Sequence, residues 1–561
     1  MADTLRKRLD DRMSSLRNER DSSWKETWRE LSDYIEPRTG RWCLSDTNDG
    51  KRRDQKIING TATYAARVLE AGMRDGITSP ARPWFKLATP DPSLANYAPV
   101  KLWLNQAEVA MREVFAKSNL YNTLTTLYGE AGIFGTGAMA VMPDARDVVR
   151  FYPFTIGSFM LANSDRLQVD TLYREFRMTA RQMEQQFGRA KMSSAAQSLL
   201  DTKPDAWVDI CHANEPNDTR IAGMRDNKNM AYRSVYWEKG GDSDKTLSES
   251  GFEQFPIMAP RWKVNGEDVY GRGPGALCIG DNKALQLMEK RKAQLLAQGA
   301  TPAMGAPSSL KGQKASIIPG DITYVTESAA GQKFSPIYTP DPTWYSALRG
   351  EIQAHEGRID TAFFVDLFLM ISQMDSVRTA TEIAARKEEK MLMLGPVLER
   401  LNDELLDPLI DRTFAIMLEQ SVPRWAGLLP GKPLLAPPPE ELAGMDLRVE
   451  YISILAQAQK AMGVGSIERT LGFAGNLAGI DQGVLDNINF DSTINEYASM
   501  IGVPPAILNS QEQVKQIREQ RAKAQQQQAA MEQMGSAVQG AKLLSETDVS
   551  SENALTSLVG A

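Results

Sequence analysis

Leu277 to Gln298 is a run of 22 residues with no proline and a single glycine, Gly280, and a second helical pattern returns at Trp344, Leu348, Ile352, Ile359 and Phe363. A helix of that length spans roughly 33 Å at 1.5 Å per residue. Between the two lies TPAMGAPSSLKGQKASIIPGDITYVTESAAGQKFSPIYTPDP, residues 301–342. It is rich in Pro, Gly, Ser and Thr, balances three lysines against three acids, and holds short β-like pieces such as ASII and ITYV. The order is therefore helix, small neutral β insert, helix. Leu277, Leu285, Met288 and Leu295 are expected to pack on Leu348, Ile352 and Ile359 of the returning helix, which leaves Lys283, Lys290 and Gln294 together on another face.

Before this pair the chain reads as an α+β body reaching about residue 270. Leu5, Leu9, Met13, Leu16, Trp24, Trp28, Leu31 and Ile35 mark one face of a long helix that ends before Pro37. Further helices are expected over about 59–74, 101–115 and 122–130, and SPARPWFKL reads as a turn into a strand. IFGTGAMAVMP, VVRFYPFTIGSFMLA, VDTLYREFRM and RSVYWEK read as strands, with a helix at TARQMEQQFG stopped by its glycine. After the pair comes DLFLMISQMDSV, then an acidic helix from Thr379 to about Gln420. Thr379 and Glu382 are spaced as a capping box, and Gly395-Pro396 predicts a break. Residues 366–420 carry 11 acidic and 6 basic side chains. The connector LLPGKPLLAPPPEE leads to a strand in MDLRVEYISI. From Ala456 the chain is mostly helical, with the Gln-rich REQRAKAQQQQAAMEQM and a Ser/Thr-rich tail that is expected to be disordered.

With 561 residues, 42% of them hydrophobic, the chain has material for several modules. Lys+Arg 64 against Asp+Glu 71 gives a net charge of −7, which excludes a protein that grips nucleic acid through bulk electrostatics; any DNA contact must be local or weak. Three cysteines (Cys43, Cys211, Cys278) and two histidines (His212, His355) are too few and too scattered for a zinc cluster or a disulfide framework. No metal or cofactor is expected, and a reducing compartment fits. The charged N-terminus lacks the apolar region of a secretory signal. The longest apolar stretch, TAFFVDLFLMIS, is interrupted by Asp366 and falls short of the roughly 20 residues of a membrane span, so a soluble intracellular protein is expected.

Catalytic motifs are weak. Gly271/Gly273/Ala276 and Gly135/Gly137/Ala140 fit the loose dinucleotide spacing. In the first, however, Pro274 removes a needed N–H and no acid follows at ribose distance, so a turn before a helix is the expectation. GGDSDKT (Gly240 to Thr246) lacks the glycine before its lysine and reads as a polar loop. His355 reads as a partly buried helix histidine, and Cys211 as packing, because adjacent strand residues such as Cys211 and His212 face opposite ways. Asp403, Glu404, Asp407 and Asp411, flanked by Arg400 and Arg412, read as a solvated helix face. The chain is not expected to be an enzyme. A nucleotide-using factor acting through GRGPGA or GGDSDKT is the alternative, and a scaffold that assembles only on a partner is a third.

The order of parts, with SPARPWFKL, YGRGPGALCIGDNKALQLMEKRKAQLLAQGATPA, IIPGDITYV, RTATEIAARKEEKMLMLGPVLERLNDELLDPLIDRTF, VEYISILAQAQKA and IGVPPAILNSQEQVKQIREQ, resembles the head-to-tail connecting (portal) proteins of short-tailed, podovirus-type phages over about residues 5–530. The resemblance implies an α+β portal fold. Residues 1–270 form the wing, with 421–455 returning to it; 271–300 and 343–365 are the stem helices, and 301–342 the clip. The tunnel loop is 366–377, the long helix above it 378–420, the crown 456–535, and 536–561 a disordered tail. In LCIGDNKAL, Cys278 and Gly280 depart from the family's pattern and predict a bend at the start of the first stem helix.

The resemblance further implies a ring, usually of twelve subunits, at one capsid vertex of the virion, assembled in the host cytoplasm. Double-stranded DNA passes non-specifically along its axis. Its partners are a terminase motor, a tail adaptor, and capsid and scaffolding proteins, with no membrane. Leu369, Met370, Ser372, Gln373, Met374 and Asp375 are expected to line the narrowest point, unless the Phe and Met residues of that segment pack beneath the acidic helix. Lys283, Lys290, Gln294, Arg349 and Glu356 are expected on a channel or inter-subunit face of the stem. Lys311, Lys314 and Lys333 are expected to dock partners at the clip. Twelve copies carry about −84 formal charges, so the ring should mostly repel the duplex it conducts. The Gln-rich helix either projects into the capsid or is a solvated tail.

Overall fold

The structure, a computed structural model, describes residues 5–305, 341–372, 393–453, 464–501 and 513–528, short interruptions aside, with isolated positions elsewhere. The N-terminal apolar stripe folds as two helices, α1 (Leu5–Ser23) and α2 (Lys25–Tyr34), divided at Trp24, where one long helix was expected. The division separates two cores. Leu9, Met13 and Leu16 are buried against Met160, Tyr173, Cys211, Val235 and Trp237, whereas Trp28, Leu31 and Ile35 enter the main core. Each such buried side chain contributes about 1.5–3 kcal/mol.

The main core is helical. α3 (Thr61–Ile77) packs on α5 (Leu120–Phe134), beside α4 (Ala98–Lys117) and β1 (Phe85–Ala88). β2 (Ala138–Asp144) and β3 (Val148–Phe154) form a hairpin that turns through Val148 at φ +69°. The second sheet is an antiparallel meander of β4 (Phe159–Asn163), β5 (Val169–Thr179), β6 (Trp207–Pro216), β7 (Tyr232–Glu238) and β8 (Ser248–Phe252). Between β5 and β6 sit α6 (Ala180–Phe187), opened by a Thr179/Gln182 capping box and followed by Gly188, and α7 (Ser194–Thr202). β9 (Ile257–Met258) joins β2 on the side away from β3.

Two long helices follow, α8 (Pro274–Ala300) and α9 (Pro342–Ala362). Between them, β10 (Met304–Gly305) pairs with β11 (Ser335–Pro336). The strands expected at ASII and ITYV lie outside the described residues. α10 (Val365–Ser372), a helix α11 over 393–401 and α12 (Asp407–Trp425) complete the core. β12 (Arg448–Tyr451) returns to pair antiparallel with β1, Phe85 opposite Tyr451 and Ala88 opposite Arg448. The described parts therefore carry the expected α+β class. The body ends at Thr493, after helix α13 (Val464–Ala478), and in the second unit the described residues are mostly helical.

Three expectations are corrected. The helix runs through Gly395-Pro396, and the irregularity comes later, as a π-turn at Asn402–Leu406 that joins α11 to α12. α8 continues without interruption through Cys278 and Gly280, because open space around Gly280 demands no bend. Residues 366–372, expected within a loop, are helical.

Candidate functional site

The paired helices α8 and α9 are the feature that the body is built to hold. Where α8 begins, YGRGPG crosses the end of α5 with no room for a side chain. A Cβ on Gly273 would stand 2.3 Å from the Gly132 carbonyl oxygen, one on Gly275 2.4 Å from that of Ile133, and one on Gly271 2.4 Å from that of Gly135. Gly135 caps α5 in the left-handed region at φ +87°, and the Gly271 N–H donates to Thr136 Oγ1 at 2.8 Å. The two glycine motifs of dinucleotide spacing are thus two sides of one backbone crossing, and their glycines serve close packing.

Past the crossing, α8 is fastened by buried amides. Asn282 donates to the Tyr34 carbonyl at 2.9 Å, and Gln286 Oε1 accepts from the N–H groups of Ile58 and Asn59 at 2.6 and 2.8 Å. Gln286 Nε2 donates to Asn59 O at 2.9 Å. Asn59 then reaches both long helices, donating to Glu356 at 2.9 Å and Glu289 at 3.2 Å. Across the pair, Asp281 accepts from Arg358 and contacts His355 Nδ1, both at 2.8 Å. Burial raises the Asp281 pKa, but the bonds to Arg358 and His355 outweigh it and hold the carboxyl below its ordinary value.

Leu285 is buried and Met288 and Leu348 pack at the edge of the core with Ile352 and Ile359, as expected. Leu277 is 77% exposed: it lies on the outer side of α8, one turn past the crossing. Lys283 pairs with Glu30 of α2 and sits 5.8 Å from the Tyr34 ring centroid. Glu356 is tied to Asn59, so both are engaged within their own chain. Lys290, Gln294 and Arg349 are exposed along the outer parts of the helices. Lys311 is exposed at a turn, whereas Lys314 and Lys333 lie outside the described residues.

At the foot of α9, Phe364 turns the chain at φ +56°, and α10 presses Phe368 onto Gly72 of α3, where a Cβ would stand 2.2 Å from the ring. Leu369 is partly exposed, Met370 and Ser372 lie on α10, and Gln373, Met374 and Asp375 fall outside the described residues.

The acidic row departs from a solvated face. Asp403 and Asp411 are exposed, but Glu404 receives Arg261 through its backbone N–H at 2.9 Å and its guanidinium at 2.7 Å, and Arg400 at 3.0 Å. Asp407 accepts from Tyr451, linking α12 to β12. Arg412 donates to Val141 O at 2.8 Å, and burial lowers its pKa to about 10. Helical spacing alone carried no sign that the body wraps this face.

Cys211 packs against α1 with its thiol pushed up to about 12 by burial. His212 faces the other way, stacked 3.7 Å from Tyr236 and bonded to Ser234 at 3.0 Å. Lys245 offers its carbonyl to Arg6 at 3.1 Å, and residues 242–244 of GGDSDKT lie outside the described residues. Among the described residues no group of three His, Cys, Asp or Glu is placed to hold a metal, and no helix is long and apolar enough to cross a membrane.

The family model described as "Bacteriophage head to tail connecting protein" matches residues 6–508. The chain belongs to this family of phage connectors. It is 49% identical to the "Portal protein" of Salmonella phage epsilon15 over 564 aligned positions, covering 100% of this chain and 99% of the relative. It is 42% identical to the "Probable portal protein" of Bordetella phage BPP-1, covering 100% of this chain and 98% of the relative. The resemblance drawn from the six sequence blocks is thus supported along the whole connector chain.

Proposed function

We propose that this connector is the portal subunit of a short-tailed phage: a non-catalytic ring at one capsid vertex that conducts double-stranded DNA and docks first a packaging motor and then a tail adaptor. The observation that carries this reading is the 49% identity to a portal protein along 100% of this chain and 99% of the relative. The geometry is consistent with it. α8, 27 residues long, extends roughly 40 Å, and α9, at 21 residues, roughly 32 Å. Their bases are clamped to the body and their outer parts are exposed, the disposition of stem helices in a channel wall. On this reading residues 1–270 with 421–455 are the wing, 301–342 the clip, and 366–377 with the following helix surround the constriction. The β1–β12 pairing gives the return to the wing a physical basis.

The test is native mass with negative-stain imaging of the purified protein. A closed ring with a central hole, about 745 kDa for twelve 62.1 kDa chains, is expected. ATP turnover by the pure protein, abolished by Lys245→Ala, would replace the conduit with a nucleotide-using factor.

A further inference from the structure

A cavity of about 420 Å³ opens between α1, the segment 41–44, the turn joining β3 to β4, and β5. Seven cationic side chains and two carboxylates line it, in a chain whose net charge is −7. Both carboxylates are shared. Glu175 accepts from Arg17 and, at 3.1 Å, from Lys239; Asp21 accepts from Arg20 at 2.7 Å and Lys25 at 2.9 Å. Arg174 lies between the rings of Phe154 and Phe176, 4.5 and 4.4 Å from their centroids, and donates to His212 at 3.1 Å. Its partners are two rings, the Tyr236 hydroxyl and an imidazole that burial keeps neutral, so no carboxylate is among them, and burial draws its own pKa below the ordinary value.

We propose that this cavity binds a small phosphate-bearing polyanion, which clamps α1 to the five-stranded sheet. Five of the seven cations are arginines, whose planar forks match paired oxygens. They arrive from α1, from the 41–44 segment and from β5, on different sides. A tetrahedral phosphate presents acceptors in those several directions, whereas a planar carboxylate presents them in one plane. Arg177 is also paired, donating to Asp209 at 2.8 Å, yet seven cations against Glu175, Asp21 and Asp209 still leave a formal excess that one monoanion cannot neutralise.

The test is calorimetric titration of the assembled full-length protein with inorganic triphosphate at fixed ionic strength. Saturable binding at one site per chain, with a raised melting temperature, is expected. The double variant R17Q/K239Q should weaken it by about tenfold or more, while R150Q, whose partner Asp147 lies outside the cavity, should leave it unchanged. Glu175→Gln removes negative charge and should tighten binding by about threefold, a change opposite to that of structural damage. No saturable binding, or equal binding by R17Q/K239Q, overturns the proposal. Displacement of triphosphate by a single-stranded oligonucleotide would support the site with nucleic acid as the source of phosphate; failure to displace it would support the site with a free polyphosphate.

Discussion

Glu130 is 4% exposed on α5 and accepts from the Ile156 N–H at 3.3 Å. Burial raises its pKa to about 8 against the opposing pull of Arg41. The folded state thus retains a proton that the unfolded chain releases near 4.5, so this residue's contribution is most favourable below pH 4.5 and is lost as pH rises to about 8. Glu130→Gln should flatten that dependence and stabilise the protein at pH 9 by on the order of 3 kcal/mol, read from denaturant midpoints at pH 5 and pH 9. Two glycines separate packing from propensity. Gly273→Ala places a methyl group 2.3 Å from a carbonyl oxygen and should cost about 2–3 kcal/mol, whereas Gly280→Ala has open space in a helix and should add about 0.5–1 kcal/mol. Thermal melts of the two variants should move in opposite directions. In the sequence Gly273 reads as part of a turn before a helix and Gly280 as a bend within it, because spacing along the chain does not report what crosses it.

At the scale of elements, Asn59 holds the foot of the long helices. It bonds Glu289 and Glu356 and accepts from Thr61 N–H at 2.8 Å at the start of α3. Asn59→Ala should lower stability by about 2–3 kcal/mol, and hydrogen exchange should rise in α8 and α9 near residues 282–289 and 356 before it rises in the five-stranded sheet. Regular elements were legible where one period dominates, as in α8, α9 and the meander strands β4, β5 and β7. They were less legible where two environments meet. The stripe from Leu5 to Ile35 keeps helical spacing throughout, yet serves two cores and divides at Trp24. Gly395-Pro396 carries the residues of a helix end, but Leu394, Val397 and Leu398 are buried, and their packing keeps that turn helical. For the candidate site, the helix pair and its insert could be read from the sequence. Lys283 and Glu356 could not be placed, because their partners Glu30 and Asn59 lie more than two hundred residues away along the chain.

For the whole molecule, the acidic balance should govern how the assembled ring treats duplex DNA. Each chain carries −7, and the basic groups of the cavity beside α1 are set in walls rather than spread along a face. Fluorescence anisotropy with a duplex at 150 mM salt should show no saturable binding, whereas tight duplex binding would contradict a conduit that lets its cargo slide. Lys290→Glu with Arg349→Glu should leave ring mass unchanged if those exposed groups contact only passing DNA, as native mass would report. The pairing of β1 with β12 bears on when the molecule comes into being. It joins segments about 360 residues apart, so a ribosome must release nearly the whole chain before Phe85 meets Tyr451. Until then β1 lacks the strand that it pairs with in the folded body. Completion of the body therefore waits on a strand encoded more than three hundred residues after the one it pairs with.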